Sequence, residues 1–124
     1  MKRCAVSKIG RYIIVVKKGT VIQLPASKVL LIKREEQRTV IVTDGLHIDK
    51  EIECACTIKS FYEILDDDRF AYEHKSFIFN MDHIYRLQDK AVYIDDGSSL
   101  YLGKNCYYKL LNRFLEYRTK QEFG

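Results

Sequence analysis

Along this chain the apolar positions come in short bursts, broken at intervals of roughly 8–12 residues by glycine, aspartate or charged clusters. Such punctuation predicts a β-rich fold. Arg11 to Lys17 and Val21 to Leu24 predict a hairpin around Lys18-Gly19, where Gly19 can take the positive φ of a tight turn. Pro25 has no N–H to give to a ladder and ends the second strand. Val29 to Ile32 is apolar without alternation, as expected of a strand buried on both faces. A polar loop, Lys33 to Gln37, then leads into a strand from Arg38 to Thr43. Asp44-Gly45 marks another tight turn, followed by a strand from Leu46 to Ile52.

Two stretches carry a helical period instead. Ile58, Phe61, Tyr62 and Leu65 recur at spacings of three and four, and Thr57 can cap them by accepting from a backbone N–H left without a partner. Asp66-Asp67-Asp68 sits at the negative end of that helix dipole and predicts an exposed loop. It lacks the glycine and distal glutamate of a calcium loop. Four short strands follow, Ser76 to Phe79, His83 to Leu87, Ala91 to Ile94 and Ser99 to Leu102. Asn105 is then expected to cap a closing helix that frays after about Thr119. Its apolar stripe is Tyr107, Leu110, Leu111, Phe114 and Leu115, with Lys109, Arg113 and Lys120 on another face.

A chain of 124 residues is enough for one domain with a modest core. No apolar run approaches the roughly 18–20 residues of a membrane helix, and Tyr12 to Val16 is too short for a signal-peptide core. Membrane insertion is therefore not expected, and the cytoplasm is the expected location. The net charge of +4 is unevenly spread: residues 1–43 carry +8, residues 44–73 carry −6 and residues 74–124 carry +2. Two basic segments around an acidic one suit a protein with one face for a polyanion.

Cys4, Cys54, Cys56 and Cys106 do not form two ligand pairs at zinc spacing, so no metal site is expected. Cys54 and Cys56, two apart, would share one strand face and are expected to be small apolar side chains. Ser76 and His74 are also two apart, but nothing orients them as nucleophile and base. With no phosphate-binding glycine loop either, no catalytic residue, cofactor or small-molecule substrate is expected.

Phe70-Ala71-Tyr72-Glu73-His74-Lys75-Ser76-Phe77-Ile78-Phe79-Asn80-Met81-Asp82-His83-Ile84 is followed by a strand, an Asp96-Gly97 turn and Leu102-Gly103-Lys104-Asn105 opening a helix. That order resembles the C-terminal half of the LytTR domain, a β-rich DNA-binding module of bacterial transcription regulators. The likeness extends from Gly10 to Leu115. It implies a mainly β fold: small antiparallel sheets of short strands with one short internal helix and a C-terminal helix, as a single domain. It implies DNA contacts at three places: Arg34, Gln37 and Arg38; His74, Lys75 and Ser76; and Lys104, Asn105 and Lys109. The sequence departs from the family pattern at Tyr72 and Glu73. Lys75 stands where the family often has arginine, whose planar fork can read guanine bidentately.

The resemblance thus implies a sequence-specific, double-stranded DNA-binding regulator of transcription, with loops and strand ends reading successive major grooves of repeated sites. Two further partners fit such a protein: a second copy of the chain on repeated sites, and a regulatory protein. The alternative is a β-module that binds another protein, such as a membrane inhibitor, and has lost DNA binding. No second domain with a phosphoacceptor pocket is evident, and the Met1 start favours a natural short protein over an excised response-regulator output domain.

Overall fold

The computed structural model describes residues 4–123; Met1 and the Cys4 side chain lie outside the described residues. The chain runs β1 (Cys4–Ile9), β2 (Tyr12–Lys17), β3 (Thr20–Pro25), β4 (Val29–Glu35), β5 (Arg38–Thr43), β6 (Glu51–Cys54), α1 (Ile58–Leu65), β7 (Phe70–His74), β8 (Phe77–Asn80), β9 (Ile84–Gln88), β10 (Ala91–Ile94), β11 (Ser99–Tyr101) and α2 (Lys104–Phe123). Three sheets form, with strand orders β1-β2-β3, β6-β5-β4-β8-β7 and β11-β10-β9. Every strand pair is antiparallel. The fold is mainly β, as the sequence predicts.

The five-stranded sheet is the middle layer. On one face Ile32, Ile41, Ile52 and Ile78 pack with Ile13, Val15 and Leu24 of the first sheet and with Ile58, Phe61 and Leu65 of α1. On the other, Leu31, Ala71 and Phe79 pack with Val92 and Ile94 of the third sheet and with Tyr107, Leu110 and Tyr117 of α2. Alternate side chains of a strand point to opposite faces. A strand covered on both sides must therefore be apolar at every position, and Val29 to Ile32 are all buried.

Several elements differ from the sequence expectation for identifiable reasons. β1 is absent from the apolar pattern because its inward position Lys8 is polar; an ion pair to Asp67 at 3.8 Å accommodates it. The expected polar loop from Lys33 to Gln37 is a continuation of β4, closed by the two-residue turn Glu36-Gln37 with Glu36 at φ 57°. The expected strand from Leu46 is a curled loop. There the Asp44 carboxylate accepts from the Leu46 N–H at 2.9 Å, and the Thr43 hydroxyl accepts from the Gly45 N–H at 3.0 Å. Gly45 and His47 both take positive φ, and β6 starts only at Glu51. The strand expected from His83 is a short 3-10 turn (Met81–His83) leading into β9.

Thr57 caps α1 as expected, accepting from the Ser60 N–H at 3.1 Å. α2 begins at Lys104, so Asn105 lies inside the first turn and not ahead of it, and the helix continues past Thr119 to Phe123. Its buried stripe ends in Tyr117, while Leu115 is 54% exposed.

Two polar residues pin the layers together. Asn80 is fully buried: its amide donates to the Val29 carbonyl at 2.7 Å, and its side-chain oxygen accepts from the Asp82 N–H at 3.0 Å. His83 lies between two acceptors, the Ser27 carbonyl at 2.7 Å and the Asp95 carboxylate at 2.9 Å. Both ring nitrogens can donate only in the imidazolium form. Burial opposes that charge, but the Ser27 carbonyl and Asp95 outweigh it and raise the His83 pKa above the usual 6.5.

Two outcomes are expected. Asn80→Ala orphans a buried carbonyl and uncaps a turn, and should cost about 2–4 kcal/mol in urea unfolding. Because the folded-state pKa of His83 is raised, its contribution is complete below pH 6.5 and declines as pH rises through the folded value. The stability difference between the wild-type chain and His83→Gln should shrink across that rise. A difference that is flat with pH would show that the clamp carries no charge.

Candidate nucleic-acid interface

The β4–β5 hairpin and the β7–β8 turn come together at one end of the central sheet. β8 pairs with β4 through Lys33 opposite Phe77, and the Arg34 N–H continues the ladder by donating to the Ser76 carbonyl at 2.9 Å. The first two groups of residues singled out in the sequence are thereby joined through backbone.

Register decides which way their side chains face. Arg34 lies opposite Thr39, which in turn lies opposite Cys54. Lys33 belongs to the other face, in a row with Val40 and Glu53 on one side and Phe77 and His74 on the other. Arg38, opposite Glu35, shares that second face. Arg34 and Arg38 therefore flank the hairpin on opposite sides of the sheet, with Gln37 exposed in the turn between them.

The two arginines also differ in electrostatic state. Arg38 is tied to Glu53 at 3.3 Å and to Glu35 at 3.7 Å. Lys33 extends the chain of charges, 3.1 Å from Glu35 and 3.6 Å from Glu51. This lattice offsets the charge of Arg38. Arg34 and Lys75 are exposed, and among the described residues their side chains have no ion pair or hydrogen bond.

His74 is held in one orientation. A register shift between Ala71 and His74 bulges β7, and bulges re-aim side chains. The ring packs 5.0 Å from the Phe77 ring, and its Nδ1 accepts from the Ser76 N–H at 3.0 Å. An accepting Nδ1 carries no proton, so the neutral ring keeps its proton on Nε2 as an available donor. Burial and then the Lys75 charge push the His74 pKa below 6.5, reinforcing the neutral form. The bond runs to the Ser76 amide and not to its hydroxyl, so the geometry gives no activated serine.

The third group stands on α2. Lys104, Asn105 and Lys109 are exposed, and no hydrogen bond or ion pair among the described residues ties them to the other two groups. α2 packs along β7, the strand that carries His74, and its start is anchored by Leu102 N–H donating to the Lys90 carbonyl at 2.8 Å.

One basic element at the hairpin end was not singled out in the sequence. Lys17 donates to the Glu53 carbonyl at 2.9 Å, which brings the β2–β3 turn, with exposed Lys18, beside the end of β6. The basic first third of the chain contained the signal, but the pairing partner lies 36 residues away.

Comparison with known proteins gives a consistent result. The LytTr DNA-binding domain family matches residues 19–115. Among solved structures, the chain is similar to the LytTr DNA-binding domain of a protein described as a methyl-accepting/DNA response regulator from Bacillus cereus. The identity is 21%, covering 93% of this chain and 98% of that one, with a TM-score of 0.65. At that identity the likeness is one of fold. No curated protein matches the chain.

The ring geometry has a spectroscopic consequence. His74 should titrate below 6.5 and His83 above it, and the neutral His74 ring should show the Nε2–H tautomer in its nitrogen chemical shifts. A His74 ring protonated on Nδ1 at neutral pH would contradict the bond to Ser76.

Proposed function

The chain belongs to the LytTR family of DNA-binding domains, and on that premise we propose that it is a sequence-specific, double-stranded DNA-binding regulator of transcription. The observation that carries the proposal is the joining of the β4–β5 hairpin to the β7–β8 turn, which sets exposed Arg34, Gln37, Lys75 and the His74 donor at one end of the sheet.

Arg34 and Lys75 supply phosphate contacts, which give salt-dependent affinity and fix the register on the duplex. The Nε2–H of neutral His74 donates to a base-edge acceptor such as guanine N7 or O6. Gln37 offers both a donor and an acceptor at the hairpin tip, and Ser76 a hydroxyl. Lys104, Asn105 and Lys109 extend the contact from α2 to a neighbouring stretch of duplex. Arg38 joins only by leaving Glu35 and Glu53, so its net contribution is smaller than its charge suggests. The protein acts as a single domain in the cytoplasm, on repeated sites that a second copy can share; among the described residues no helix is long and apolar enough to cross a membrane.

A second reading has its own observation. The carboxylates of Glu35, Glu51 and Glu53 line the face that carries Arg38 and Lys33, where a protein partner with its own charges would meet less repulsion than phosphate does. A regulatory protein bound there would compete with DNA.

Selection from random duplexes followed by anisotropy in a salt series tests the proposal. Arg34→Ala with Lys75→Ala should weaken binding to the selected duplex by more than about tenfold and flatten the salt slope by roughly 2. Glu53→Gln should tighten binding by about two- to threefold by releasing Arg38. Unchanged affinity in the double variant would remove the hairpin end from the interface.

A further inference from the structure

β6 leads into two cysteines whose side chains help fill the core but whose thiol chemistry neither the fold nor the DNA reading uses. Cys54 is the last strand residue, opposite Thr39, and is 2% exposed. The chain then bends at Ala55 and Cys56, and Cys56 is half-buried. The Thr39 hydroxyl donates to the Cys56 carbonyl at 2.6 Å, and the next residue, Thr57, caps α1. Cys54 belongs to the buried core, and Cys56 is partly buried and packs against that core.

An extended strand sets alternate Cα atoms about 6.6 Å apart, and a bend shortens that separation. Disulfides span Cα separations of about 4.4–6.8 Å, a range that residues two apart enter when the segment between them bends. The roles of the two sulfurs also differ by position. Cys56 is open to a small oxidant, whereas Cys54 is shielded from solvent but lies against Cys56. The neighbouring Cys54 thiol holds the Cys56 thiol below its ordinary pKa, against the opposing effect of burial. The thiolate is the reactive form. Cys106, on α2, has no such thiol neighbour among the described residues.

We propose that Cys54 and Cys56 are a reversible thiol–disulfide pair that closes on reaction with a hydroperoxide, with Cys56 as the attacking sulfur and Cys54 as the resolving one. In the first step the Cys56 thiolate attacks the terminal peroxide oxygen; an S–O bond forms, the O–O bond breaks, and the departing oxyanion takes a proton to leave as an alcohol, or as water from hydrogen peroxide. In the second, Cys54 loses its proton and attacks the Cys56 sulfenic acid; the S–S bond forms, the S–O bond breaks, and hydroxide leaves with that proton as water. Two thiols are oxidised by two electrons and one peroxide is reduced. A disulfide in so small a ring is strained, which makes it easily reduced by a thiol. Ring closure moves the Cys56 carbonyl away from the Thr39 hydroxyl, one residue from Arg38, and so loosens the end of β5 that supports the hairpin.

The test uses the full chain, hydrogen peroxide, thiol alkylation with peptide mapping, and hydrogen exchange, none of which depends on DNA binding. The expected result is joint loss of the Cys54 and Cys56 thiols, a linked peptide containing both, faster exchange around Thr39, and full reversal by dithiothreitol. Cys56→Ser should leave Cys54 alkylatable after peroxide. Cys54→Ala should stop at a Cys56 sulfenic acid that dimedone captures. Oxidation of Cys106 ahead of Cys56, or oxidised Cys56 in the wild-type chain with Cys54 still alkylatable, would overturn the proposal.

Discussion

Burial of the first four residues of β4, Val29 to Ile32, on both faces is the constraint on which the rest of the structure depends. A strand whose inward and outward side chains are all apolar needs two covers, and this chain supplies a sheet with α1 on one side and a sheet with α2 on the other. The buried apolar area stabilises by about 25 cal/mol per Å². That coefficient makes a one-residue slip of β4 costly, since it would exchange the two faces. The register of β4 is thereby fixed, and with it the register of β5 and β8. The hairpin tip and the β7–β8 turn meet because both are ends of strands paired to this one.

The same constraint explains why the polar residues of the interior are so few. Thr39, Thr43 and Asn80 are the buried polar side chains among the described residues, and each is bonded to backbone at a point where the sheet gives way to a loop or turn. Thr43 closes the curled loop after β5, Thr39 holds the end of β6, and Asn80 ties the turn after β8 to the start of β4. These bonds cost little when made and much when half broken. They localise the loop geometry that the apolar core alone leaves undetermined.

How much of this was legible in the sequence depended on how local the cause was. The run Val29 to Ile32, the Thr57 cap, the Ala91–Ile94 strand and the amphipathic helices all carry their signal within a few residues. β1 did not, because Lys8 is made acceptable only by Asp67, nearly half the chain away. β4 looked as if it ended at Ile32 because Lys33 to Glu35 are charged; in the fold those charges neutralise one another and their cross-strand neighbours. The candidate site was nameable as a set of residues through the family pattern. Its arrangement was not, since whether Arg34 and Arg38 share a face depends on whether two or five residues make the turn.

Charge shows most clearly how folding changes what a sequence suggests. Basic and acidic residues lie in separate blocks along the chain, which suggests a broad cationic face. In the fold the blocks are laid against each other: Lys8 meets Asp67, Lys28 meets Asp44, Lys33 meets Glu51, Arg38 meets Glu53 and Lys120 meets Asp68. Exposed pairs of this kind add little stability, about 0–1 kcal/mol each. Their larger effect is on the field, because each pair cancels a charge within a Debye length of about 8 Å. Among the described residues, what remains unpaired at the hairpin end is Arg34, Lys75 and Lys18, a few discrete cations and not a basic surface. An interface of that kind gains modest affinity from phosphates. On the proposed DNA-binding reading, discrimination between sequences would come from oriented groups, and His74, held by the Ser76 amide and kept neutral by burial and Lys75, is such a donor.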